Sequence, residues 1–107
     1  MRRYGRIIKI KPDKLEKYKK LNSEIWPEIV KAIHQYKLQN FSIFHKNGLL
    51  FSYFEYIGED FENDTKKMAS VPEIKKWLNI TDKMQDPLES RLPGEWWEFL
   101  DEIFHLA

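Results

Sequence analysis

Asn47-Gly48 sits between two runs of aromatic and β-branched residues, QNFSIFHK at 39–46 and LLFSYFEYI at 49–57. Asn-Gly supplies two successive positions that tolerate positive φ, which a two-residue hairpin connection requires. The pair therefore commits the middle of the chain to an antiparallel hairpin. Alternation places Phe41, Ile43 and His45 on one side of the first strand.

The flanking segments read outward from that hairpin. RYGRIIKI at 3–10 has strand composition, with Tyr4, Ile8 and Ile10 on one face. Pro12 and Asp13 open a helical pattern that runs to about Tyr36, with Leu15, Tyr18, Leu21, Asn22, Ile25, Ile29 and Ala32 at helical spacing. Pro27 interrupts it. A proline there removes one N–H and clashes with the carbonyl of Ser23, so the helix kinks or breaks and restarts near Asn22–Glu24. Residues 60–69 and 72–80 read as two short helices, a loop with Pro87 and Pro93 follows, and 97–106 reads as a closing strand. The order is βαββαβ, a ferredoxin-like α+β arrangement in one domain spanning 1–107. Such a sheet carries helices on one face only. A second copy of the same sheet is the expected cover for the other, giving a homodimer.

Seven Phe, five Tyr and four Trp make aromatics 15% of 107 residues, more than a core of this size can hide. The surplus is expected to line a pocket or a subunit interface. Eighteen basic residues balance 17 acidic ones, so the charge pattern does not suit nucleic acid. The Lys-rich stretch from Lys9 to Lys20 is interleaved with glutamates and reads as a solvated helix face. With no cysteine, disulfides, thiolate catalysis and Cys-ligated metals are excluded. The N-terminus lacks the apolar core of a signal peptide, and no apolar run is long enough to span a membrane. A cytoplasmic setting is the expectation.

Tyr18, Asn22 and Trp26 lie at i, i+4 and i+8, on one helix face. A phenol, an amide and an indole together suit a neutral polyol, though a core-facing stripe gives the same spacing. His34, His45 and His105 are isolated, and no metal-ligand spacing occurs. Glu55 could face solvent or a pocket. Trp77-Leu78 and Trp96-Trp97 are apolar pairs that fit a core as well as a site.

Several runs resemble one family, the L-rhamnose mutarotases. They are YKKLNSEIWPEI, QNFSIF, LLFSYFEY, KKWLNITDKMQDPL and GEWWEFLDEIFHL, which together span most of the chain in the right order. The resemblance implies a dimeric α+β barrel that interconverts the α and β anomers of L-rhamnose or a similar 6-deoxy sugar such as L-fucose, without cofactor or metal. It implies that Tyr18 contacts substrate and that Trp77 matches the first of two paired tryptophans. Leu78 stands where the second would be, Phe41 where a tyrosine would be, and Asn22 where a proton-donating histidine would be. Tyr18 and Asn22 are thus the expected catalytic positions, and Tyr18, Asn22, Phe41, Trp77 and Leu78 the expected substrate pocket. An amide has no useful proton-transfer pKa, so Asn22 can hold a sugar oxygen but not protonate it. These departures leave open a sugar-binding relative without catalysis, and by fold analogy alone a monooxygenase-type small-molecule binder.

Overall fold

A computed structural model describes residues Met1–Ala107. The chain opens with β1 (Arg2–Ile10), followed by one 3-10 turn at Pro12–Lys14. The long helical pattern resolves into two helices, α1 (Leu15–Ser23) and α2 (Pro27–Gln35). Pro27 occupies the first position of α2, where its missing N–H has no partner to lose. Trp26 before it takes the extended conformation that a following proline enforces, with φ −65° and ψ 136°. The break therefore falls at 24–26, and the polar end of α1 is left beside it.

The hairpin forms as the Asn-Gly pair requires. Strands β2 (Leu38–Lys46) and β3 (Leu49–Tyr56) run antiparallel, and Asn47 and Gly48 both have positive φ. A bulge interrupts β2. Gln39 pairs with Glu55 and Ser42 with Tyr53, so Asn40 and Phe41 together oppose Phe54, with Asn40 at φ 49°. The extra residue puts Leu38 on the same face as Phe41 and Ile43. Without it, Leu38 would point away from the helices.

Next come α3 (Phe61–Ala69) and α4 (Pro72–Asp82). The Asp60 side chain caps α3 by accepting from the Asn63 N–H at 3.1 Å. The closing strand differs from the sequence reading. It is split into β4 (Gln85–Asp86) and β5 (Glu98–Leu100), both antiparallel to β1 on the same edge. Residues 87–97 leave that edge between them. Beyond Leu100 the chain has no regular structure, although the Arg3 side chain of β1 reaches Glu102 at 2.8 Å. The sheet order β2-β3-β1-β4, with β5 also on β1, is the ferredoxin-like order with its last strand interrupted. No helix is long and apolar enough to cross a membrane.

All four helices lie on one face of the sheet, against Ile8, Ile10, Leu50, Phe54 and Tyr56. The apolar interior is not continuous. Ile8, Ile10, Tyr18 and Leu50 form one cluster under α1, Ile29, Ala32, Ile74 and Trp77 a second between α2 and α4, and Leu38, Phe54 and Tyr56 a third. The space left between the last two clusters is the main cavity of the molecule.

Candidate active-site cavity

The cavity has a volume of about 610 Å3, within the range of small-molecule sites. Its floor is the inward face of the sheet, with Arg6, Phe41 and Phe54. Ile29 and Trp77 close one side, and Leu78 and Asp82 lie further along α4. Trp96 and Trp97 come from the end of the 87–97 excursion, so interrupting the last strand builds a wall that a continuous strand would not supply.

Arg6 is the cation of this cavity. Its guanidinium carbon lies 4.7 Å from the Trp97 ring centroid, 4.9 Å from Phe54 and 5.8 Å from Phe41. Its Nη2 donates to Ser52 Oγ at 3.3 Å, and its buried Nε has no acceptor. Burial pushes its pKa down to about 10, which still leaves it charged at neutral pH. Asp82, the last residue of α4, is the carboxyl that burial holds above the usual aspartate range. Neither belongs to an ion pair. The pairs formed are Arg3–Glu102, Lys9–Asp86 and Lys19–Glu16.

The five positions singled out from the sequence divide between two places. Phe41, Trp77 and Leu78 line the large cavity. Phe41 stacks on Phe54 at 5.1 Å, and Trp77 meets Trp26 edge-on at 5.1 Å while buried between α2 and α4. Leu78 is partly exposed beside it. Tyr18 and Asn22 instead line a smaller groove of about 220 Å3 with Leu15, Lys19, Ile43 and His45. Asn22 Nδ2 donates to the Tyr18 backbone carbonyl at 2.9 Å, one turn back in α1.

A hydrogen-bond chain links the two places. Gln85 Nε2 donates to the Tyr18 hydroxyl at 3.1 Å, and Trp96 Nε1 donates to Gln85 Oε1 at 2.8 Å. The buried phenol is thereby tied to the cavity wall. Burial pushes its pKa up, and the Gln85 and Asn22 amides and Arg6 offset only part of the shift, so Tyr18 is neutral at physiological pH.

The other titratable groups raised by the sequence lie elsewhere. Glu55 accepts from Asn40 Nδ2 at 2.6 Å, the Tyr53 hydroxyl at 2.8 Å and Gln39 Nε2 at 3.1 Å. These bonds hold its carboxyl below the usual range. It alternates with Phe54 and Tyr56 and so points away from the helices. His45 Nε2 accepts from the Gly48 N–H at 3.2 Å, which ties it to the hairpin turn. His105 is exposed in the C-terminal segment.

Sequence reasoning passed over Arg6, Asp82, Gln85 and the placement of Trp96 and Trp97. Two of these left a signal. Arg6 falls between Tyr4 and Ile8 in a period of two, which puts it on the buried face. Asp82 lies four residues after Leu78, on the same stripe of α4. Gln85 and the tryptophans reach the site only through long-range contacts, which local pattern does not encode.

Comparison with known proteins agrees along the whole chain. The L-rhamnose mutarotase family model matches residues 3–106. An L-rhamnose mutarotase of Lactiplantibacillus plantarum is 32% identical over 106 residues, covering 99% of each chain. An L-fucose mutarotase of Xanthomonas campestris pv. campestris is 31% identical over 87 residues, covering 79% of this chain and 69% of that one. Among solved structures, the L-rhamnose mutarotase FA22100 of Formosa agariphila superposes with a TM-score of 0.77 at 18% identity over the full length of both chains, a likeness of fold. With its family model matched from the first strand to the C-terminal segment, the chain belongs to the L-rhamnose mutarotase family.

Proposed function

We propose that the protein is a mutarotase that interconverts the α and β anomers of a 6-deoxy monosaccharide, L-rhamnose or L-fucose, in the cavity between sheet and helices, without metal or cofactor. The observation that carries the reading is full-length family membership in a chain whose cavity holds a titratable carboxyl, Asp82, that burial raises above the ordinary aspartate value. Mutarotation moves one proton off the anomeric hydroxyl and one onto the ring oxygen as the bond between C1 and that oxygen breaks. Ring closure on the other face reverses both transfers. A group whose pKa lies near the working pH serves such transfers best. Asp82 is a carboxyl in the cavity whose pKa burial moves upward, whereas Asn22 has no proton to exchange.

In this reading Asp82 exchanges the proton, and Tyr18 acts on the sugar through Gln85 and Trp96 of the cavity wall. Asn22 fixes the turn of α1 that carries Tyr18. Phe41, Trp77 and Leu78 provide the apolar walls for the C–H faces and the C6 methyl of the sugar. Anomer exchange faster than in buffer is expected with L-rhamnose or L-fucose, and exchange at the buffer rate with both contradicts the reading.

The same proposal makes the protein a homodimer in the cytoplasm. On the sheet face without helices, Ile7 and Phe51 pair across β1 and β3, and Phe44 is 62% exposed. In the C-terminal segment Ile103, Phe104 and Leu106 are 94%, 79% and 81% exposed. So many large apolar side chains left in solvent suit an interface better than a free surface. Light scattering at micromolar concentration should give twice the 13.0 kDa chain mass. A monomer mass would contradict the dimer.

A further inference from the structure

Arg6 is costly where it stands. A guanidinium offers five N–H donors. Here one bonds Ser52 Oγ at 3.3 Å, and the buried Nε bonds nothing. The Phe54 and Trp97 rings, at 4.9 Å and 4.7 Å, answer part of its charge but bring no oxygen to its N–H groups. No carboxylate of the protein answers its charge, although Asp82 and Glu62 line the same cavity. A neutral 6-deoxy sugar can accept hydrogen bonds through its hydroxyls but brings no negative charge to answer it. A methionine or leucine would fill the same space without burying a charge, and such a replacement commonly stabilises a fold.

We infer that the cavity also takes a monosaccharide bearing a carboxylate, a hexuronate, whose carboxylate sits on the Arg6 guanidinium. The inference rests on the mutarotase reading for what happens to the anomeric carbon, and on Arg6 alone for the anion. A planar carboxylate matches the guanidinium edge with two parallel hydrogen bonds. A hexuronate is a hexose whose C6 is oxidised to the acid, so the carboxylate occupies the place of the methyl and the anomeric end is unchanged. A phosphate ester is disfavoured because its second charge would meet Asp82 and Glu62 across the same space.

The experiment titrates wild type and Arg6→Met with D-galacturonate, D-glucuronate, L-rhamnose, L-fucose and D-glucose 6-phosphate. Binding is read from protein NMR shifts and anomer exchange from saturation transfer. Arg6→Lys, which keeps the charge but not the fork, is the second variant. Wild type should bind a hexuronate about 10- to 100-fold more tightly than Arg6→Met does, the usual worth of a hydrogen-bonded charge. Arg6→Lys should fall between them. The loss for hexuronates in Arg6→Met should exceed any loss for the neutral sugars, and unliganded Arg6→Met should unfold at higher denaturant than wild type.

Hexuronate affinity equal in wild type and Arg6→Met, or no hexuronate binding to wild type, overturns the inference. Arg6-dependent binding of the phosphate ester without the hexuronates overturns the choice of a carboxylate. Loss of stability in Arg6→Met with hexuronate affinity unchanged assigns Arg6 to the packing of the rings and also overturns it. Arg6-dependent hexuronate binding with no anomer exchange of any sugar supports the anion site and contradicts the mutarotase reading. Exchange of L-rhamnose or L-fucose without hexuronate binding does the reverse.

Discussion

Asp82→Asn is expected to slow anomer exchange by about 10²–10⁴-fold, the usual worth of a positioned acid–base group. The substitution keeps the shape of the side chain at the end of α4 and removes only its titration. Its effect on stability should have the opposite sign. Burial raises the folded-state pKa of Asp82 above its unfolded value. Between those two values the folded chain holds more protons than the unfolded chain, so stability falls as pH rises through that window. Above that window the charged carboxylate is a net cost that the amide removes. The loss of rate should appear in kcat with little change in sugar affinity, alongside an unchanged or higher denaturation midpoint. A variant that exchanges anomers at the wild-type rate would move the proton transfer to Tyr18 or to water.

Trp77→Ala should lower stability by about 3–5 kcal/mol, the range for truncating a large buried side chain. Trp77 is 8% exposed and packs with Ile29, Ala32 and Ile74, edge-on to Trp26. Its removal would join the space it fills to the existing cavity, and the backbone of α2 and α4 cannot close over both. Against a typical domain stability of about 5–15 kcal/mol, the loss is a large part of the whole. Urea denaturation followed by circular dichroism measures it. Trp77→Phe keeps a ring in the same contact and should lose a smaller share. A cost near zero for Trp77→Ala would mean that the indole serves the ligand alone and that α2 and α4 are held by their aliphatic contacts.

What the sequence made legible was what short-range chemistry decides. Asn47-Gly48 specified the hairpin, because few residue pairs adopt that backbone. Pro27 specified the helix break, since its ring and missing N–H act within one turn. Which face of β3 is buried was not legible, because apolar residues occur on both, and the structure buries Leu50, Ser52, Phe54 and Tyr56. The closing strand was legible only in part. WEFLDEIFHL has strand composition throughout, yet only Glu98–Leu100 find hydrogen-bond partners on β1. Composition describes a residue's preference, whereas a ladder needs a neighbour.

The site was less legible than the fold for a related reason. Tyr18 and Asn22 share a helix face, as their spacing says, but that face looks onto the smaller groove. Only the pair of bonds through Gln85 to Trp96 ties Tyr18 to the cavity, across 67 and 11 residues of sequence. Arg6 was visible in the period-two pattern of β1. A charged residue among apolar neighbours is easily read as an edge position, and its lack of an ionic partner shows only in three dimensions.

The central claim is tested most directly by saturation transfer between the α and β anomeric protons of L-rhamnose and of L-fucose at neutral pH, with and without the protein. The account predicts exchange that rises above the buffer rate in proportion to protein concentration for at least one of the two sugars, and that returns to near the buffer rate when Asp82→Asn replaces wild type. Exchange at the buffer rate for both sugars, with folded wild-type protein present at micromolar concentration, would contradict it.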